Sequence, residues 1–492
     1  MTSPLRTRPI LTVLLCAALA LRILFVTVSS PVDDAYITYR YADNLAAGHG
    51  FVYNPGERVL GTTTPLFTLL LVPFAVVGLP ADTMALILAV LFDIGICVLL
   101  FMLFRRSHGD AAGLAAAGIY GLSYAAAAAC GYGMETQLFM FLVVAAFTLL
   151  TRQKWTAAAT MTALATMTRP EGFLLAGIVA AAMLFTPQGR KQFARAAAVF
   201  VALAGAWYAF AWIYFGSPIP NSAHAKLLQT GISQSQWIAF FVTRNPVVML
   251  LWACAVVGAI AGLRKREPGA VLFTAWLVVY MLFFRAVRPP FLGGWYFPPL
   301  VLSLTVLTAF AASVIGTRIL RTPGRALAVT LVLALALVVT VLPKSIASNR
   351  WNRTVAQTVF VPIAEWVRDH TTQDTIVHAA DVGYLGYFSG RRIVDAAALV
   401  TPEVGRYYAQ HRNQPDWDIA YVLEHRPGVV VLPVRGDIYR RFSASSFAHE
   451  YQPQARFQVE DETDLHPPLD IADCYTHDAR FMADYIIYAR TR

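Results

Sequence analysis

The chain has 492 residues, 57% of them hydrophobic and only 14% charged, with a formal net charge of +10. That is too apolar for a water-soluble globular protein of this length and fits a polytopic membrane protein. The basic excess falls in short clusters between apolar runs, as cytoplasmic loops do, which excludes nucleic acid as the partner. Five cysteines (Cys16, Cys97, Cys130, Cys254, Cys474) lie far apart and make neither a metal motif nor a disulfide framework.

Arg6 and Arg8 precede an apolar run from Ile10 to Val28. It is long enough to span, and no small-residue cleavage pattern precedes Pro31, so it reads as a retained signal anchor. Apolar runs recur near residues 10–29, 64–80, 83–104, 111–129, 137–150, 155–168, 171–186, 196–215, 246–263, 269–287, 295–316 and 326–343. Between them lie Arg105/Arg106, Arg152/Lys154, Arg190/Lys191/Arg195, Arg264/Lys265/Arg266 and Arg318/Arg321/Arg325. If every run crossed, Arg6 and Arg8 would face the opposite side from these clusters, so one run must fail to cross. The expected exception is 64–80, short and interrupted by Pro65 and Pro73, as an interfacial or re-entrant helix. About eleven spans remain, with the N-terminus inside and the C-terminus outside.

The runs 155–168 and 171–186 are short for spans. The turn between them, Thr168-Arg169-Pro170-Glu171-Gly172, is therefore expected inside the protein, where its polar groups need partners. After Pro343 the chain turns polar. Strand-like runs at Thr375–Ala379, Arg392–Asp395, Val429–Pro433 and Tyr485–Ala489 predict a small external α/β domain. The expected fold is mostly α: a polytopic membrane helix bundle over 1–343 with its first external loop at 31–82, followed by an α/β domain over 344–492. No inverted repeat of the transporter kind is visible.

Asp33 and Asp34 stand directly after the first apolar run. Two carboxylates at the mouth of a membrane helix are costly and point to function. Asp33 makes a good helix N-cap and Asp34 favours the helix dipole, which is the bland account. It leaves unexplained the small and aromatic loop Gly48-His49-Gly50-Phe51-Val52-Tyr53-Asn54-Pro55-Gly56-Glu57 beside the bilayer. A carboxylate pair beside a membrane cavity suits a general base acting on a hydroxyl acceptor.

Asp33-Asp34-Ala35-Tyr36-Ile37, Arg40-Tyr41-Ala42, Gly48-x-Gly50, Tyr53-Asn54-Pro55-Gly56-Glu57 and Gly61-x-Thr63-x-Pro65-Leu66 follow one another in the first loop. Gly133-Met134-Glu135-Thr136, the 168–172 turn, Tyr214-Phe215-Gly216-x-Pro218-x-Pro220-Asn221 with Lys226, and Asp381-x-Gly383 with Gly386-Tyr387 come later. In this order the motifs resemble the GT-C glycosyltransferases, membrane enzymes that use polyprenyl-phosphate sugars, nearest to the bacterial terminal arabinofuranosyltransferase branch. The resemblance implies a bacterial inner-membrane enzyme that moves a pentose or hexose from a polyprenyl-phosphate donor to an envelope glycan, lipid or protein. It makes Asp33 the base, with Asp34 its partner or a substrate or metal ligand.

A phosphate leaving group needs cations more than an acid. Arg169 and Lys226 are the candidates, with Arg288 a third. Tyr36, Arg40, His49, Tyr53, Glu135, Glu171 and His224 are the expected substrate-side residues, and Asp381 and Tyr384 are placed to read the acceptor. The bland alternatives stay open: Arg169 paired with Glu135 or Glu171 to hold the fold, Lys226 a solvated loop lysine, Glu135 a helix-terminal acid. The acid pair has the oxygen chemistry for one divalent cation (Mg, Mn or Ca), though no dense ligand cluster demands it. Two rival classes remain, a lipid-linked saccharide transporter and a non-catalytic envelope assembly protein.

Overall fold

The computed structural model describes residues 7–228, 231–243, 246–290, 293–434, 437–459 and 483–491. The first apolar run forms α1 (Thr7–Val28). After Pro31 the chain re-enters helix as α2 (Asp33–Ala46), whose two first-turn acids complement the positive end of the helix dipole. It ends where Gly48 takes φ +81°. Next, α3 (Pro65–Val76) opens on a proline at its first position, where no N–H is needed. Its twelve residues reach only about 18 Å, well short of a bilayer.

The runs 83–104 and 111–129 become α4 (Ala81–Gly121), a pair of helices joined at Gly109 with φ +80°, and the short α5 (Tyr124–Cys130), started by the Ser123 side chain. There follow α6 (Thr136–Thr151), α7 (Trp155–Thr166), α8 (Gly172–Leu184) and α9 (Pro187–Phe215). Then come α10 (Asn221–Leu228), α11 (Gln234–Phe241), α12 (Pro246–Lys265), α13 (Pro268–Val287), α14 (Pro298–Leu320) and α15 (Pro323–Val355).

Among the described residues, seven helical stretches are long and apolar enough to cross a membrane: Thr7–Val28, Ala81–Gly121, Pro187–Phe215, Pro246–Lys265, Pro268–Val287, Gly294–Val314 and Pro323–His370. The expected count of about eleven included α6, α7 and α8, which turns at Gly133, Gln153 and Arg169–Gly172 cut to sixteen residues or fewer. It also counted the two arms of α4 separately.

The rest is the predicted α/β segment: α16 (Val361–His370), β1 (Ile376–Ala379), α17 (Gly383–Ser389), β2 (Arg392–Asp395), α18 (Pro402–His411), α19 (Trp417–His425) and β3 (Val429–Pro433). It closes with α20 (Asp437–Ala444), α21 (Phe447–Glu450), β4 (Tyr451–Gln458) and β5 (Asp484–Arg490). The strands form one sheet in the order β2-β1-β3-β5-β4. β1 is parallel to β2 and β3, whereas β5 runs antiparallel to β3 and β4.

The chain divides into two compact units. One holds Met1–Val28, Ala85–Tyr208 and Ile232–Ile346; the other holds Ser29–Met84, Ala209–Gly231 and Ala347–Arg492. The first loop thus belongs with the C-terminal α/β segment, from which the expected boundary at 343 separated it. Inside the first unit, Arg22 on α1 meets Asp93 on α4 at 2.6 Å, both fully buried. Inside the second, α2 is buried on nearly every side and packs between α3 and α17.

Candidate functional site

Asp33 begins α2 and is buried. Its Oδ2 accepts the N–H of Gly383 at 2.9 Å and its Oδ1 the N–H of Tyr384 at 2.8 Å, so one carboxylate closes the start of α17. The approach is so close that a Cβ on Gly383 would overlap the Asp33 backbone. Burial, then the nearby charge of Asp381, push the Asp33 carboxyl above the usual carboxylate range, while the two backbone N–H groups pull it back. Asp381 is raised as well, first by burial, and its Oδ2 accepts the Tyr485 hydroxyl at 2.6 Å.

Asp34 is the opposite case. It is partly exposed, and no side-chain hydrogen bond holds it among the described residues. Burial raises its carboxyl and the positive charge of Lys226 lowers it again. Lys226 is carried on α10, whose first residue is fixed twice. Asn221 N–H donates to Leu60 O at 2.7 Å, and its side chain donates to Ala398 O and Leu399 O at 2.6 and 3.0 Å. Two expected site residues, one acid and one base, are thereby brought together by loops far apart in sequence. His224, on the same helix, is exposed.

The remaining first-loop candidates build the scaffold. Arg40 donates Nε to Tyr53 O at 2.8 Å and Nη2 to Arg391 O at 2.7 Å, and its guanidinium lies over the Tyr53 ring. The Tyr53 hydroxyl donates to Val382 O at 2.6 Å. Tyr36 is enclosed by Tyr39, Tyr384, Tyr387 and Phe388. All three expected substrate-side residues are buried and in contact with protein. Tyr384, expected to read the acceptor, is likewise buried and donates its hydroxyl to Pro31 O at 2.6 Å. His49 is exposed and bonds Asn44 at 3.2 Å.

In the first unit, Arg169 forms a buried ion triad. Its Nη1 donates to Glu135 Oε1 at 2.9 Å and its Nη2 to Glu171 Oε1 at 3.0 Å, with all three residues under 5% exposed. Its guanidinium also faces the rings of Phe139 and Tyr296, so Tyr296 serves this cluster rather than the membrane interface. The expected phosphate anchor Arg169 and the expected sugar-side residues Glu135 and Glu171 are thus brought together as one ion cluster. Arg288, expected as a third phosphate cation, ends α13 at φ +47° and donates Nε and Nη2 to Ile232 O, both at 3.2 Å.

The sequence reading missed Arg22. Its partner Asp93 also accepts the Tyr120 hydroxyl at 2.5 Å, and Arg22 donates to the carbonyls of Tyr120 and Gly121 where α4 ends. A lone arginine in an apolar run was the available signal. Asp395 enters the sequence reading only as the end of the strand-like run Arg392–Asp395. It accepts the N–H groups of Ala397, Leu399 and Val400, and so shapes the turn on which Asn221 rests.

Residues 348–483 match a family model described as a domain of unknown function, DUF8728. No curated protein matches the chain. Among solved structures, ArnT from Cupriavidus metallidurans bound to undecaprenyl phosphate aligns over 97% of this chain and 97% of its own, at TM-score 0.64 and 13% identity. The oligosaccharyltransferase of Archaeoglobus fulgidus aligns over 89% and 69%, at TM-score 0.57 and 13% identity. The arabinofuranosyltransferase AftD from Mycobacteria aligns over 99% of this chain but 42% of its own, at TM-score 0.52 and 16% identity. All three are GT-C glycosyltransferases, and the chain has the GT-C fold.

Proposed function

We propose that the chain is a membrane glycosyltransferase that moves a pentose or hexose from a polyprenyl-phosphate donor to a hydroxyl of an envelope glycan, lipid or protein. The reading places it in a bacterial inner membrane, with its N-terminus cytoplasmic and the α/β segment outside. The observation that carries it is Asp34, whose carboxylate has no side-chain hydrogen bond among the described residues and lies within electrostatic reach of Lys226. The GT-C fold supplies the reaction class.

The acid pair divides its labour. Asp33, with each oxygen already accepting a backbone N–H, fixes the start of α2 against α17. Asp34, one residue on, keeps its oxygens for substrate. Asp34 takes the proton of the acceptor hydroxyl, the oxygen attacks the anomeric carbon, and polyprenyl phosphate departs from the opposite face. Its two negative charges are met by Lys226. Among the described residues no group of three or more His, Cys, Asp or Glu side chains is arranged to hold a metal ion. Asp33 has both oxygens engaged by backbone N–H groups, and no step here is routed through a metal ion.

The test is release of polyprenyl phosphate from a panel of polyprenyl-phosphate sugars by the purified protein in lipid nanodiscs. Release from one donor should fall by about 10²–10⁴-fold in Asp34→Asn, the usual range for loss of a general base. Asp33→Asn should lower thermal stability more than it lowers turnover. The reverse pattern would make Asp33 the base and Asp34 its support. No release with any donor from folded protein would shift the reading to a transporter or an assembly protein.

A further inference from the structure

Between α8 and α13, inside the first unit, lies a groove of about 560 Å³. It follows α8 from Phe173 to Phe185 and α13 from Val279 back to Val271, and only apolar residues line it. A buried water needs two to four polar partners, so this space takes hydrocarbon. A Cβ on Gly177, midway along α8, would meet nothing within 4 Å. Phe173 and Phe185 are 49% and 86% exposed, which opens the groove sideways. Along α8 it measures about 18 Å at the helical rise, close to one leaflet, about 15 Å, of a bilayer's hydrocarbon core.

The two ends differ in charge. Where α8 starts, Glu171 pairs with Arg169, whose guanidinium lies over the Tyr296 ring. The Tyr280 hydroxyl, from the second half of α13, donates to Tyr296 O at 2.8 Å, so protein closes this end. At the other end both helices adjoin cations. Arg190, Lys191 and Arg195 follow Phe185 on α9, and Arg264, Lys265 and Arg266 stand just before α13; all six are exposed. Arg190 Nη1 donates to Leu184 O at 3.4 Å, which holds its guanidinium at the mouth. Glu267, the acid between these cations and α13, is buried and spends its side chain on the N–H of Ala270. A leaflet-long apolar groove that ends in cations complements an acyl chain with an anionic headgroup. A zwitterionic headgroup would bring a further positive charge to that end.

We propose that the groove between α8 and α13 is a binding site for one anionic phospholipid of the bilayer, with an acyl chain along α8 and the headgroup phosphate on the cations at its mouth. The site is separate from the reaction proposed above and stands whatever the donor. Binding is read by native mass spectrometry of the full-length protein, with dioleoyl phosphatidylglycerol and dioleoyl phosphatidylcholine as probes. Wild type should hold phosphatidylglycerol about tenfold more tightly. Gly177→Leu/Ala181→Leu, which fills the groove with good helix formers, should bring phosphatidylglycerol down to the phosphatidylcholine level. Lys191→Gln/Lys265→Gln, on exposed side chains that do not bear on folding, should do the same. Arg8→Gln/Arg325→Gln removes as much charge from exposed positions on α1 and α15, off the groove, and should keep the preference. Equal binding of the two lipids by wild type overturns the proposal. So does a filled variant that keeps the preference, or a control pair that loses it as fully as the groove pair, which would mean attraction to a basic face at large. Undecaprenyl phosphate that displaces phosphatidylglycerol from wild type, and binds the filled variant less, would assign the groove to a prenyl chain and overturn it too.

Discussion

Asp33 and Asp381 share a small buried volume with two backbone N–H donors, the Tyr485 hydroxyl and the nearby charge of Asp34. Burial raises both acids, so the folded chain holds their protons more firmly than the unfolded chain, whose carboxyls ionise near pH 4. Stability then falls as pH rises from that range through the raised values. Asp395, pushed to about 7 by burial, acts in the same direction. His378 acts oppositely, since burial lowers it to about 4, but only below its ordinary value near 6.5. Between pH 6.5 and 8 the melting temperature should therefore decline, and Asp381→Asn should flatten the decline. A profile that is level or rising in wild type would show that the acids are ionised throughout. At this scale the sequence displayed the acid pair but not its division, because a cap and a base look alike until the donors are placed.

At the scale of elements, the carbonyls left open where α4 ends at Gly121 are met from α1. Arg22 donates to the carbonyls of Tyr120 and Gly121 and pairs with Asp93, and the Tyr120 hydroxyl closes the network. A buried charge stripped of its partner costs about 3–5 kcal/mol, far more than the intact pair contributes. Asp93→Leu should thus lower the unfolding temperature in detergent sharply. The double variant Arg22→Met/Asp93→Leu should recover part of that loss, limited by the two carbonyls it orphans. Additive losses in the double variant would mean that the residues do not act as a pair. Helix positions were legible from apolar runs and prolines. The break inside α4 at Gly109 was expected as a loop, whereas the network at the end of α4 was not legible, because spacing along the chain does not show that Arg22 and Asp93 face each other.

At the scale of the whole chain, three stretches distant in sequence fold as one unit: 29–84, 209–231 and 347–492. Polarity marked the last of these, and the matched family model spans 348–483 within it. Neither reveals that α2 supplies its core. The reason is local: α2 is short, and its mixture of tyrosines, threonines and charges reads as an external helix until α17 covers it. Asn54 bonds both the N–H and C=O of Ile393 on the edge strand β2, and Glu57 pairs with Arg392 at 2.6 Å. Together they occupy part of a sheet edge that would otherwise be open to pairing. Gly386 lies so close to the Tyr53 hydroxyl and Arg40 that a Cβ there would overlap both. A fragment of residues 344–492 alone should accordingly expose Tyr384, Tyr387 and Phe388, bind a hydrophobic dye and melt without cooperativity. Fusing residues 29–84 to it through a flexible linker should restore a sharp transition. If the fragment melted cooperatively by itself, the first loop would be a ligand of a finished domain rather than a part of it, and Asp34 would owe its position to α1 instead.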